Sequence, residues 1–197
     1  MSRPLAPANP LQALIQQAAS APAETGNTAR YRRRFASAGT GQVIVADVSG
    51  SMADLAWGGK RKIEVLREAL AGAPPARLIA FSSSPSEIAS SAELPEPGGG
   101  TAMHRALDAA SAIRPERTLV ISDGQPDDEG LALASAERLS GAIDVLYIGP
   151  DGDYAAIAFM RALARAGAGR YASHDLRRAG AMLLGQTIRG LLPGGSR

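Results

Sequence analysis

Apolar runs and helix-like periodic segments alternate along the chain from residue 42 onward. Four apolar runs predict strands buried on both faces of a sheet, and they cover 43–48, 77–82, 118–122 and 143–148. Two shorter strands are predicted at 86–89 and 169–172. Helices are predicted between them, over about 60–71, 101–113, 129–140, 153–166 and 176–191. The alternation predicts an α/β fold, a Rossmann-like, doubly wound, mostly parallel sheet with helices on both faces.

Residues 1–41 lack this alternation. Prolines at positions 4, 7, 10 and 22 interrupt them, and only residues 11–18 have an amphipathic pattern that fits two helical turns. We therefore predict an N-terminal arm over 1–41, largely irregular with a short helix, followed by one domain over 42–197. Near its end the arm carries a basic cluster, Arg30–Arg34. We interpret this cluster as a solvated lead-in to the first strand, although contact with nucleic acid or acidic partners is the alternative.

Composition narrows the class of protein. The hydrophobic fraction is 45%, so a sizeable core can form, and the absence of cysteine excludes disulfides and zinc–thiolate sites. A formal net charge of +2 is too small to indicate a nucleic-acid-binding protein. The printed sequence shows neither a secretion signal nor an apolar stretch long enough to span a membrane, so we expect a cytoplasmic protein without membrane association.

Oxygen-bearing side chains follow the ends of two predicted strands. Asp47, Ser49 and Ser51 come directly after the first strand, and Asp123 follows the strand at 118–122. Thr101 comes after three consecutive glycines, which would let a loop backbone approach an ion closely. Ligands collect at the carboxyl ends of strands in open parallel sheets, and carboxylate and hydroxyl oxygens suit a hard divalent cation. The pattern therefore favours a metal site at this edge of the sheet.

The ordered set D-x-S-x-S, then T, then D-G resembles the metal-ion-dependent adhesion site of von Willebrand factor type A domains. The resemblance covers about residues 42–190. It implies a six-stranded sheet in the order 3-2-1-4-5-6 with strand 3 antiparallel. It also implies that Ser49, Ser51 and Thr101 bind Mg²⁺ or Mn²⁺ directly or through water, with Asp47 and Asp123 beside them.

The same resemblance carries expectations about function. Most such domains bind protein partners and catalyse nothing, so we expect a module that uses its metal to hold a carboxylate of a partner protein. The small intracellular bacterial members often work with AAA+ ring ATPases or in stress-response and conflict systems, which makes an AAA+ ATPase the nearest analogy for the partner.

Two alternatives compete with a metal-bridging module. Asp47 could be the nucleophile of a Mg²⁺-dependent phosphatase or phosphotransferase, but such enzymes carry a second aspartate two residues later, where this chain has Ser49. A metal-free scaffold with a vestigial site is the other alternative, because aspartate and serine after a strand are also common in turns and caps.

Neighbouring residues are predicted to have structural roles. We interpret Asp54, Asp127 and Asp128 as surface caps and not as ligands. Met52 and Trp57 belong to a loop that is exposed by its position, so Trp57 could form part of a partner surface or pack over the end of the sheet. Because Thr101 and Asp123 lie in loops, we expect alanine at either position to weaken the metal site and leave the fold intact.

Overall fold

The structure is a computed structural model that describes residues 41–192. The predicted arm with its Arg30–Arg34 cluster lies outside the described residues, as do residues 193–197. The strands are β1 (Gln42–Asp47), β2 (Arg77–Phe81), β3 (Pro85–Ile88), β4 (Arg117–Ser122), β5 (Ala142–Tyr147) and β6 (Ala168–Ser173). The α-helices are α1 (Lys62–Ala71), α2 (Met103–Ile113), α3 (Glu129–Arg138), α4 (Tyr154–Ala166) and α5 (Ala181–Leu191).

The strands form one six-stranded sheet in the order β3-β2-β1-β4-β5-β6. β3 pairs antiparallel with β2, and the other four pairings are parallel. This confirms the predicted doubly wound sheet, its strand order and the antiparallel third strand. The chain leaves β1 for one half of the sheet and returns to β4 in the other half, so the loops after β1 and β4 diverge above a crevice.

Side chains alternate between the two faces of the sheet and build a core on each. Ile44 and Ala46 of β1 belong to the cluster covered by α1 and α5. Val43 and Val45 belong to the cluster covered by α2, α3 and α4. All four residues are at most 2% exposed, which explains why the strand reads as an unbroken apolar run. Within residues 41–192, no helix is both long and apolar enough to cross a bilayer.

Two sequence predictions are wrong in detail. Met52 is not exposed, because the 3-10 turn Gly50–Ala53 buries it in the same cluster as Ile63 and Leu66. Helix α5 begins at Ala181 and not near residue 176. The backbone there folds into a turn instead, since the Asp175 carboxylate accepts the backbone N–H of Arg177.

A buried aspartate joins the three strands β4, β5 and β6. Asp144 is fully buried, and its Oδ2 accepts hydrogen bonds from Arg117 and Arg170, each at 2.8 Å. Burial on its own would raise the pKa of Asp144, but the bonds from Arg170 and Arg117 outweigh it and lower the pKa below the ordinary 3.8. The carboxylate therefore stabilises the fold in its charged form.

We predict that Asp144→Asn lowers the free energy of unfolding at pH 7 by about 1 to 2 kcal/mol. The loss is moderate because the two arginines left behind reach solvent and can be hydrated there. A lowered folded-state pKa contributes stability above the ordinary value, and that contribution disappears as the pH falls through the folded-state pKa. Denaturant titrations of both proteins should show a gap that is constant above about pH 5 and narrows progressively as the pH falls below about 4. A gap independent of pH would contradict the assignment.

Candidate metal centre

The sheet topology brings the two predicted aspartates to one edge. β1 ends at Asp47 and β4 ends at Ser122, and the register pairs Ala46 with Ile121. Asp123 therefore leaves the sheet beside the residue that ends β1. This is the crevice between diverging loops where open parallel sheets bind ligands.

Four of the five predicted ligands are joined by a short chain of hydrogen bonds. The Ser49 backbone N–H donates to Asp47 Oδ1 at 2.7 Å, and the hydroxyls of Ser49 and Ser51 are 3.2 Å apart. The Ser51 hydroxyl donates to Asp123 Oδ1 at 2.8 Å, across 72 residues of sequence. The D-x-S-x-S turn and the end of β4 are thus sufficient to bring these four residues together.

Thr101 reaches the same edge through its loop backbone. The Gly50 N–H donates to the Gly99 carbonyl at 3.2 Å, which ties the glycine loop to the serine turn. Gly99 has a φ of 76°, a left-handed conformation that favours glycine. Asp127 Oδ1 accepts the Thr101 N–H at 2.9 Å and so fixes the loop from the β4 side. Among the described residues, no hydrogen bond joins Thr101 to the other four predicted ligands.

Exposure changes across the cluster from base to rim. Asp47, Ser49 and Asp123 are 0%, 2% and 4% exposed, so they form the floor. Ser51 is exposed and Thr101 is half-buried, so these two hydroxyls lie at the rim. A ligand from outside would therefore meet the hydroxyl groups first.

Asp47 is a buried carboxylate whose two oxygens both have partners. Burial raises its pKa to about 6, although hydrogen bonds from Ser122 and Ser49 act in the opposite direction. Ser122 donates to Oδ2 at 2.5 Å and Ser49 to Oδ1. A fully buried carboxylate with both oxygens engaged is poorly placed to attack phosphorus, and this geometry gives no support to Asp47 as a phosphoryl-accepting nucleophile.

Lys62 is a component of this edge that sequence reasoning missed. It is 4% exposed, and its ammonium lies 2.6 Å from Asp123 Oδ2 and 3.1 Å from Asp54 Oδ2. Burial would lower the pKa of Lys62, but the bonds and charges of Asp123 and Asp54 outweigh it and raise the pKa. Asp54 is thus an ion-pair partner of Lys62. The repulsion expected between two bare carboxylates is already reduced by this ammonium.

Of the other two acidic residues predicted to be caps, Asp128 is a helix cap and Asp127 is not. Asp128 is the cap of α3, since its side chain accepts the Leu131 N–H at 2.8 Å. Asp127 is not a helix cap, because it holds the Thr101 loop as described above. A Cβ added at Gly100 would lie 2.7 Å from Asp127 Oδ2, so the missing side chain at this glycine leaves room for the close approach.

The donor set fits a hard divalent cation. Two carboxylates and three hydroxyls supply oxygen ligands of the kind that Mg²⁺ and Mn²⁺ accept. Within residues 41–192 there is no cluster of three or more His, Asp or Glu side chains that could hold a metal by itself. An ion at this edge would therefore depend on the hydroxyls of Ser49, Ser51 and Thr101.

The fold has known counterparts among solved structures. A von Willebrand factor type A protein from Catenulispora acidiphila superposes with a TM-score of 0.61 and 18% identity, over 76% of this chain and 41% of that chain. The SpRpn10 VWA domain superposes with a TM-score of 0.55 and 15% identity, over 80% of this chain and 97% of that one. This chain therefore spans about two fifths of the Catenulispora chain.

Sequence comparisons add no closer relative, because no family profile and no curated protein matches the chain. The fold and its topology are thus the shared property. The six strands in the order 3-2-1-4-5-6, the antiparallel third strand and the two superpositions show that the described part of this chain has the von Willebrand factor type A fold.

Proposed function

We propose that this domain binds a divalent cation, Mg²⁺ or Mn²⁺, and uses it to hold a carboxylate of a protein partner. The observation that carries the proposal is the 2.8 Å hydrogen bond between Ser51 and Asp123, which joins two predicted ligands from different loops at an open edge of the sheet. Domains of this fold are typically protein-interaction modules, which supports binding over catalysis.

The charges at the site support a carboxylate as the partner's ligand. The hydroxyls of Ser49, Ser51 and Thr101 are neutral, and the Lys62 ammonium offsets one of the two carboxylates, so a bound dication keeps positive charge that the protein does not cancel. The exposed Ser51 places that charge where a partner can reach it. An anionic oxygen is the ligand that a hard cation with open positions prefers.

An apolar surface next to the site would enlarge the contact with a partner. Leu55 is 67% exposed and Trp57 is 57% exposed, on the loop that follows Ser51. One edge of the Trp57 ring lies near Gly180, where an added Cβ would be 3.2 Å from the ring's Cδ1. A tryptophan with one edge against the protein and most of its surface exposed suits a protein interface. By analogy we extend the proposal to an AAA+ ATPase or a stress or conflict system protein as the partner, in the bacterial cytoplasm.

Metal binding can be tested on the isolated protein. We predict that Mn²⁺ or Mg²⁺ at about 100 times its dissociation constant raises the free energy of unfolding by roughly 2.7 kcal/mol over the value in EDTA. Thr101→Ala should weaken Mn²⁺ binding about tenfold or more in calorimetry, because it removes one rim hydroxyl. Thr187→Ala, another half-buried threonine, on α5, is the matched control and should bind Mn²⁺ like the wild type.

Partner binding needs a second measurement. A pull-down with and without EDTA, with captured proteins identified by mass spectrometry, should recover a partner that both EDTA and Thr101→Ala remove. Identical melting curves in EDTA and in millimolar Mg²⁺, together with no calorimetric heat, would refute the metal site. A partner captured equally well in EDTA would refute metal-bridged recognition.

A further inference from the structure

The ammonium of Lys62 is enclosed by acceptors at the floor of the metal site. Its Nζ donates to Asp123 Oδ2 at 2.6 Å, to Asp54 Oδ2 at 3.1 Å and to the Ser51 carbonyl at 3.2 Å. An ammonium has three hydrogens, so these three contacts satisfy it completely. Lys62 is thus fixed at the site by bonds to residues on two of the site's loops, those that follow β1 and β4.

A lysine side chain is rarely buried without a partner whose opposite charge compensates for the lost hydration. The side chain of Asp123 is 1% exposed and that of Lys62 is 4% exposed, whereas Asp54 is 60% exposed. The buried pair is therefore Lys62 with Asp123, and solvent screens the contribution of Asp54. In this arrangement one of the two carboxylates of the metal site already has a cation.

We propose that Lys62 is a tethered cation that competes with the divalent ion for Asp123 and so keeps the domain's affinity for metal alone low. The inference rests on the proposed metal-dependent function and names the residue that regulates it. Asp123 has two oxygens, of which Oδ1 accepts from Ser51 and Oδ2 accepts from Lys62. A dication drawn to this carboxylate therefore meets an ammonium that already neutralises it.

The net charge at the floor of the site couples the binding of the metal to the binding of the partner. Asp47 and Asp123 with Lys62 sum to one negative charge instead of two, so a bound dication leaves a net positive charge at the site. Repulsion between the ammonium and the dication weakens the binding of metal alone. A partner carboxylate would offset that repulsion, and metal and partner would then bind more tightly together than either does alone.

The test is Lys62→Met, which removes the charge and keeps a long, flexible apolar stem. Lys60→Met is the matched control. It changes the net charge by the same amount, two residues away, but Lys60 is in an exposed ion pair with Glu68. Mn²⁺ is titrated calorimetrically into both variants and the wild type. We expect Lys62→Met to bind Mn²⁺ at least about tenfold more tightly and Lys60→Met to bind within about twofold of the wild type.

A melting experiment gives an independent readout. Lys62→Met should melt lower than the wild type in EDTA, because Asp123 loses its buried partner, and should gain more from Mn²⁺ than the wild type gains. Should Lys62→Met be unfolded in EDTA, recovery of its circular dichroism signal on addition of Mn²⁺ supports the proposal, and failure to recover overturns it. Lys62→Gln, which keeps a hydrogen-bond donor without the charge, should bind Mn²⁺ more tightly than the wild type.

The outcomes separate this inference from the proposed function. Wild-type binding of Mn²⁺ with equal or weaker binding by both Lys62 variants would overturn the competition and leave the metal site standing. That result would make Lys62 a residue that positions Asp123 for the ion. No binding by the wild type or by either Lys62 variant would refute the metal site itself. Binding by the Lys62 variants alone would refute metal binding by the wild-type domain, and with it the proposed function, but would support the competition, with the ammonium in place of the metal.

Discussion

Asp123→Ala is expected to lower the free energy of unfolding in EDTA by about 3 to 5 kcal/mol. The substitution leaves the Lys62 ammonium at 4% exposure with only the solvent-screened Asp54 and one backbone carbonyl as acceptors. An uncompensated buried charge costs far more than the loss of a surface ion pair. Urea denaturation at pH 7 in EDTA measures the loss directly and keeps metal binding out of the comparison.

Two variants make that prediction specific. Asp54→Ala removes the exposed acceptor of the same ammonium and should cost less than about 1 kcal/mol. The double variant Lys62→Met/Asp123→Ala removes both buried charges and should recover a coupling free energy of about 2 kcal/mol or more. Additive losses in the double variant would show that the pair does not stabilise the domain.

This expectation replaces one drawn from the sequence. A loop position at the end of a strand predicted that alanine at residue 123 leaves the fold intact, on the premise that such a side chain contributes little to stability. Asp123 does lie in a loop, but it is 4% exposed and ion-paired, so we no longer expect that premise to hold for it. For Thr101 the premise holds, since that residue is half-buried at the rim. Thr101→Ala is therefore the better probe of function, and Asp123→Ala mainly probes stability.

The fold could be predicted because its signals are local and repeated. The central parallel strands are buried on both faces, which requires an apolar run, and β1 and β4 show this with five consecutive buried residues each. The start of α5 could not be predicted, because the turn before it, formed around Asp175, is also held by a distant partner. The Leu176 carbonyl, for example, accepts the N–H of Trp57.

The candidate site was only partly predictable for the same reason. Its oxygen donors follow strand ends in order, so the sequence could place them at one edge of the sheet. Lys62 appears in the sequence as one of three adjacent basic residues. A signal was nevertheless present, since Lys62 lies four residues before Leu66 and eight before Leu70, on the helix face that is buried. The other supporting contacts, from Ser122 at the end of β4 and from Asp127 in the loop after it, join segments that are far apart in sequence.

Asp123 is also held from behind by the loop that follows β5. The Ile148 N–H donates to the Ser122 carbonyl at 2.9 Å, which brings Gly149 against the backbone of Asp123. A Cβ added at Gly149 would lie 2.2 Å from the Asp123 carbonyl oxygen and 2.4 Å from the Tyr147 hydroxyl. Tyr147 is fully buried and its hydroxyl donates to the Pro150 carbonyl, so it cannot move aside easily.

Gly149→Ala is therefore expected to lower the free energy of unfolding by about 2 to 3 kcal/mol, since the clash is with backbone and a packed ring. Gly124→Ala is the matched control, because Gly124 adjoins Asp123 in sequence and an added Cβ there meets nothing within 4 Å. It should change the free energy of unfolding by less than about 1 kcal/mol. Urea denaturation of both variants in EDTA measures the stability loss. Calorimetry with Mn²⁺ shows whether displacing Asp123 also lowers the affinity for the ion. Equal stabilities for the two variants would mean that the loop after β5 yields freely and does not support Asp123.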